Sequence, residues 1–232
     1  MLKTKPGIVF DFEGPIVDFD QGGHHPAHLE CARRVGLNLT IQEAISKIPH
    51  FLGGPDEVIA QEIYELGDKS MTVQEILQLD NKLFNHWLMH QDPLPTREGI
   101  FPFLDELLAK KFKITIGSAL RKEVLHSCVK RAGLSRYFPP EAIVAGEDVV
   151  KTKPAPDIYL ETARRMGVRP QDQIVFEDSP RGVKSGVAAN SIVIGLPVYY
   201  TPEVIQKLKA AGAREVYSGW SDVDLMAVVK SA

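Results

Sequence analysis

Hydrophobic and polar positions follow two different rhythms along the chain. The first apolar run, residues 7–12, is short and unbroken and predicts a buried strand. Asp20-Gln21-Gly22-Gly23 then reads as a loop or hinge. From there to about Pro95 the apolar period is helical. His28, Leu29, Ala32 and Val35 fit one amphipathic helix that stops at Gly36. Thr40 with Glu43, and Thr72 with Glu75, each make a capping box. Asp56 is the expected cap of a helix through Val58, Ile59, Ile63 and Leu66. Ile76, Leu77, Leu79, Leu83, Phe84, Trp87 and Leu88 mark a long fourth helix, with Trp87 and its apolar neighbours expected in the core.

The second rhythm alternates strands with helices. Strands are predicted at residues 112–117, 142–145, 173–176 and 191–195, with a short one at 215–217. Helices are predicted at residues 99–111, 121–132, 156–166, 181–189, 202–211 and 222–229, with Thr201 and Pro202 opening the fifth of them. That alternation implies an α/β fold, a doubly wound parallel sheet. The helical stretch is then an insertion. The expected domains are residues 1–18 with 97–232, and an inserted all-helical domain at 19–96.

Composition narrows the function without naming it. The chain has 232 residues, 44% apolar and 25% charged, as in ordinary globular proteins. A net charge of −3 gives no general attraction to nucleic acid or to an anionic membrane. The two cysteines, Cys31 and Cys128, are far apart and lack metal-ligand spacing. No leader and no membrane span is expected from the apolar runs, so the expected home is the cytoplasm. Nothing in the pattern indicates an oligomer, and a monomer is the default.

The candidate chemistry sits where strands end. On a strand, Asp11 and Glu13 share a face, and open α/β sheets bind ligands at the carboxyl ends of their strands. Those ends also carry Ser118 and the pair Glu177-Asp178, and Lys153 lies in the loop Lys151-Thr152-Lys153-Pro154-Ala155-Pro156-Asp157. Carboxylates of this kind suit Mg²⁺, and a lysine and a hydroxyl suit phosphoryl oxygens. Taken singly, each has a plainer reading. Ser118 is also a helix-cap residue type, Lys153 a surface lysine, Glu177-Asp178 a helix-start acidic pair, and Arg181 a solvated helix-start residue. His24, His25 and His28 invite a metal reading, but no carboxylate or cysteine stands at ligand spacing from them. His24 is instead a candidate for substrate contact.

Two longer stretches carry a family resemblance: Lys153-Pro154-Ala155-Pro156-Asp157-Ile158-Tyr159, and Val175-Phe176-Glu177-Asp178-Ser179-Pro180-Arg181-Gly182-Val183. With Asp11 at the end of the first strand, they resemble the motifs of the haloacid dehalogenase-like (HAD) superfamily. The likeness is to the helical-cap branch of β-phosphoglucomutase, phosphoglycolate phosphatase and sugar phosphatases. It implies a HAD-type Rossmann-like core and a Mg²⁺-dependent hydrolysis of a small phosphorylated metabolite. Asp11 would be the nucleophile that forms an aspartyl-phosphate, and Glu13 the general acid/base. Ser118, Ala119 and Lys153 would hold the phosphoryl group. Asp11, Glu177, Asp178 and the main-chain carbonyl of Glu13 would hold the metal.

The sequence departs from the family pattern in two places. Glu13 and Pro15 stand where the first motif usually has Asp and Thr. In the helical insertion, Asp56 stands where mutase-like members carry a basic residue for a second phosphate. The second departure disfavours a sugar-phosphate mutase. The first keeps open a weakly active or non-catalytic scaffold that binds a phosphorylated ligand.

Overall fold

A computed structural model describes residues 5–230. The stretch read for a leader includes residues 1–4, which lie outside the described residues. Among those described, no helix is long and apolar enough to cross a membrane. The chain divides into two compact units, one running to Val17 and resuming at Pro93, the other Asp18–Asp92.

The first unit is a six-stranded parallel sheet. In chain order the strands are β1 (Gly7–Phe10), β2 (Lys113–Gly117), β3 (Ile143–Val144), β4 (Gln173–Glu177), β5 (Ile192–Gly195) and β6 (Glu215–Val216). Their order across the sheet is β3-β2-β1-β4-β5-β6. The chain enters at the middle, builds outward through β2 and β3, and returns to the other side of β1. Right-handed crossovers then place helices on both faces, and the reversal beside β1 is where such sheets bind ligands. Register fixes which side chains meet there: Phe10 pairs with Ile116 of β2 and with Phe176 of β4.

Every residue of β1 is buried, as expected for a central parallel strand. Phe10 stacks on Phe176 at 5.7 Å and lies 5.6 Å from Trp220, and burying each such ring is worth roughly 1.5–3 kcal/mol. Trp220 also donates its indole N–H to the Pro15 carbonyl at 2.8 Å, so the aromatic core holds the loop that leaves β1.

The strand ends at Phe10, two residues earlier than the apolar run predicts. The reason lies in the next turn. Ile16 and Val17 donate N–H groups back to the Phe12 carbonyl, and Gly14 donates to Val17. Gly14 has φ of +88°, which favours glycine. Asp11 and Glu13 therefore do not share the face of one extended strand, although Asp11 still donates its N–H to the Phe176 carbonyl at 2.9 Å.

The helices of this unit are α5 (Ile100–Ala109), α6 (Lys122–Arg131), α7 (Asp157–Met166), α8 (Pro180–Ala188), α9 (Pro202–Ala211) and α10 (Leu225–Lys230). Thr201 caps α9 as its sequence predicts, with Pro202 in the first turn. The last helix starts later than expected. Residues 220–222 form a 3₁₀ turn, and Asp224 accepts the N–H groups of Met226 and Ala227.

The second unit holds α1 (His25–Arg34), α2 (Ile41–Lys47), α3 (Asp56–Leu66) and α4 (Val73–Met89). Both predicted capping boxes form, at Thr40–Glu43 and Thr72–Glu75. Asp56 is not a cap. Pro55 takes that position and Asp56 is the first helical residue, where its charge still favours the helix N-terminus. The loop or hinge expected at residues 20–23 is instead part of a π-helical turn, Asp20–His24, that runs straight into α1. Its glycines leave room for a ring: a Cβ on Gly22 or Gly23 would meet Trp87 at 2.6 Å. Trp87 and Phe84 themselves stay half-buried, and only Ile76 and Asp80 of α4 are fully enclosed. The expectation that Trp87 and its stripe form the core is thus corrected to a flank.

Candidate active site

Asp11 stands one residue past β1, and Glu177 and Asp178 stand at the end of β4 beside it. Lys153 comes from the loop before α7, and that loop is pinned twice. The Lys151 N–H donates to Asp157 at 3.1 Å, and Ser185 Oγ donates to the Ala155 carbonyl at 2.6 Å. These tethers bring the Lys153 ammonium to 2.8 Å from Asp11 Oδ1 and 2.6 Å from Glu177 Oε1. All three side chains are buried.

The electrostatics follow from that burial. For Lys153, burial favours the neutral amine, but the charges of Asp11 and Glu177 outweigh it and hold the ammonium above its ordinary pKa. For Asp11, burial dominates and raises the carboxyl well above its usual range. The Lys153 charge opposes the rise, while Glu177 and Glu13 add to it. A cation beside Asp11 would restore the carboxylate.

Glu177 has both oxygens engaged. Oε1 accepts from Lys153 and from the Tyr159 hydroxyl, each at 2.6 Å. Oε2 accepts from the N–H groups of Asp178 and Ser179 and from Ser179 Oγ, at 3.1–3.3 Å. Ser179 Oγ in turn accepts the Gly182 N–H and caps α8. The helix packs tightly here, since a Cβ on Gly182 would meet Glu177 Oε1 at 1.8 Å. Asp178 is half-buried. A Cβ on Gly14 would meet its Oδ2 at 2.2 Å, so the glycine admits that carboxylate against the loop after β1.

One oxygen each from Asp11, Glu177 and Asp178 lie within 4.8 Å of one another. This hard, all-oxygen donor set fits Mg²⁺. The sequence-predicted residues Asp11, Lys153, Glu177 and Asp178 therefore converge. Glu13 is half-buried in the loop after β1, close enough for its charge to raise the Asp11 pKa. Ser118 lies past β2, buried, with its N–H on the Val144 carbonyl. Its Oγ accepts the Leu120 N–H at 3.1 Å, a turn closed by the side chain rather than a helix cap. Ala119 follows in the same loop. His24 belongs to the helical unit.

Sequence reasoning missed four contributors. Tyr159 was visible inside the quoted motif, but its hydroxyl partner was not. Arg97 donates to the carbonyls of Leu196 and Pro197 at 2.8 and 3.1 Å, and nothing near it in sequence signals this. Ser179 and Trp220 likewise act through partners distant in sequence or in role. Arg181 is also not the solvated residue expected, because it is half-buried and burial lowers its pKa, with Glu177 and Asp11 opposing.

The family model for haloacid dehalogenase-like hydrolases matches residues 8–196. A fructose-1-phosphate phosphatase of Escherichia coli is 29% identical over 190 residues, covering 82% of this chain and 95% of the relative. A hexitol phosphatase of the same organism is 31% identical, covering 82% of each. Among solved structures, a haloacid dehalogenase-like protein of Agrobacterium tumefaciens matches with a TM-score of 0.84 at 25% identity, over 98% of this chain and 99% of the other.

Proposed function

The chain belongs to the haloacid dehalogenase-like hydrolases and is a phosphatase of that family, and from that premise we propose that it hydrolyses a small phosphomonoester, a sugar phosphate or similar, through an aspartyl-phosphate on Asp11. The carrying observation is the buried Lys153 ammonium held between Asp11 and Glu177 at 2.8 and 2.6 Å, beside Asp178.

Asp11 Oδ1 accepts the Phe12 N–H at 2.7 Å and faces Lys153, which leaves Oδ2 to attack phosphorus. The bond from phosphorus to the ester oxygen breaks, and Glu13 gives that oxygen its proton. Glu13 then takes a proton from water as the water attacks the acyl phosphate and frees Asp11. Lys153 opposes the effect of burial on Asp11 and neutralises the transferred group. Ser118 and the Ala119 N–H hold phosphoryl oxygens. Mg²⁺, held by Asp11, Glu177, Asp178 and the Glu13 carbonyl, would mask repulsion between the phosphate dianion and the nucleophile. Glu177 also has a positioning role, since its oxygens accept from Lys153, Tyr159 and the start of α8. The helical unit is read as the cap domain that selects the substrate, with His24 among its substrate contacts.

The test is turnover on a panel of sugar and polyol phosphates with Mg²⁺, beside Asp11→Asn. Turnover is expected to need the metal and to fall by about 10⁴-fold or more in Asp11→Asn, as removal of a nucleophile does elsewhere. No turnover on any panel member, with Mg²⁺ bound, would favour a binding scaffold. Interconversion of hexose phosphates primed by a bisphosphate would favour the mutase. Glu13→Asp is expected to preserve or raise turnover. General acid/base work contributes about 10²–10⁴-fold, so a loss of that size would mean the site is built around glutamate.

A further inference from the structure

We propose that the helical unit holds a second metal site, of the zinc class, formed by His24, His28 and Asp56 and tuned by Asp80. It involves none of the residues assigned to phosphoryl transfer in the α/β unit.

The sequence hides this site because its carboxylate comes from another helix. His24 ends the π-helical turn and His28 lies in α1, with right-handed helical backbone at His24 and His25 between them. Residues i and i+4 then share a face. Asp56 opens α3. One ligand atom from each of the three lies within 4.8 Å of the others. A tetrahedral ion with metal–nitrogen distances near 2.1 Å needs ligand atoms about 3.4 Å apart, a spacing within the bound that holds this group together. The ring of His24 is already oriented, stacked on Phe84 at 3.7 Å.

Asp80 is the second, independent observation. It is 4% exposed, on α4, and its Oδ1 lies 2.7 Å from His28 Nδ1. That contact makes Nδ1 the protonated nitrogen and leaves the Nε2 lone pair for a ligand. A carboxylate–histidine pair of this kind is the usual support behind a metal-bound imidazole. The other oxygen, Asp80 Oδ2, is buried without a hydrogen-bond partner. A buried carboxylate with one oxygen unsatisfied is costly, and a dication on the far side of His28 supplies the missing positive charge. Two imidazoles and a carboxylate select zinc-class ions over Mg²⁺, and they leave a coordination position open to water.

The experiment is titration of the full chain with Co²⁺ and Zn²⁺ after chelator treatment, in wild type and in an Asp11→Asn/Asp178→Asn background that silences the core carboxylates. Both are expected to show the visible absorption of a nitrogen-ligated tetrahedral Co²⁺. Excess Mg²⁺ should leave it unchanged, and Zn²⁺ should displace it. His24→Ala and Asp56→Asn, checked for native circular dichroism, are expected to weaken binding by about 100-fold, and Asp80→Asn by about 10–100-fold. Should His24→Ala fail to fold, Asp56→Asn carries the test, because it keeps the volume of a half-buried side chain. The proposal is overturned if no such spectrum appears, if folded Asp56→Asn binds like wild type, or if binding vanishes in the core-silenced background.

Discussion

The two units bury charge in opposite ways. In the α/β unit, one Lys153 ammonium bridges the carboxylates of Asp11 and Glu177, and the hydrogen bonds of Tyr159, Ser179 and the α8 N-terminus complete the set. In the helical unit the buried ionisable groups include two histidines, His25 and His28, and the carboxylate of Asp80. His25 is stacked on Phe51 at 4.4 Å, and burial, with Asp20 opposing, lowers its pKa to about 4. His28 leans on a single carboxylate. A charge network is rigid because removing any member strands the others. The buried His25 imidazole is soft, because one proton changes its state. The first arrangement suits a fixed reaction geometry, and the second suits a surface that responds to ions or pH.

The network in the α/β unit breaks most visibly at its one cation. Lys153→Met leaves two carboxylates facing each other in a buried site. Removing one partner of a buried pair costs about 3–5 kcal/mol, read as a shift in the urea midpoint, and turnover should fall by about 10²–10³-fold. Adding Glu177→Gln removes the stranded charge and should return more than about 1 kcal/mol of stability without restoring turnover. If the double variant is no more stable than the single one, the charges are not coupled as described.

The sequence made one side of this contrast readable and not the other. Parallel strands bring their carboxyl ends to one edge, so Asp11, Glu177 and Asp178 could be grouped by knowing only where strands end, and the Pro-Ala-Pro context of Lys153 added the cation. Capping boxes at Thr40 and Thr72 are likewise local, with partners three positions apart, and were legible. The helical unit has no such shared edge. His28 and Asp80 meet across 52 residues, and Asp56 reaches the histidines from a different helix, so spacing along the chain gave no sign of either. The end of β1 was misplaced for a related reason: an apolar run does not reveal that the Phe12 carbonyl and Gly14 turn the chain back just after Asp11.

The softness of the helical unit can be sharpened by pH. His25 ionises near 6.5 when unfolded and near 4 when folded. As pH falls below 6.5 the unfolded chain takes up the proton first, so folding loses stability between those values. By linkage the loss at pH 5 relative to pH 8 is about 2 kcal/mol. Urea melts with chelator present should show it, and His25→Phe, which keeps the stack on Phe51, should flatten the slope. An equal slope in His25→Phe would assign the acid sensitivity to other groups.

The finest cut is between two helix caps that look alike. Thr72 Oγ1 accepts the Glu75 N–H at 3.2 Å while Glu75 accepts the Thr72 N–H at 2.7 Å. Ser179 Oγ accepts the Gly182 N–H at 3.0 Å, but it also donates to Glu177 Oε2 at 3.3 Å. Replacing either by alanine costs about 1 kcal/mol for the lost cap. The consequences should then diverge. Thr72→Ala loosens the start of α4 alone, so its stability falls and turnover per folded molecule stays at the wild-type value. Ser179→Ala also takes a donor from the carboxylate that steers Lys153, so turnover should fall as well, by roughly the tenfold that 1.4 kcal/mol of misdirected charge represents. Urea midpoints and turnover measured side by side on the two variants decide it. Equal losses of turnover would mean that the helical unit is as tightly bound to the chemistry as the sheet is.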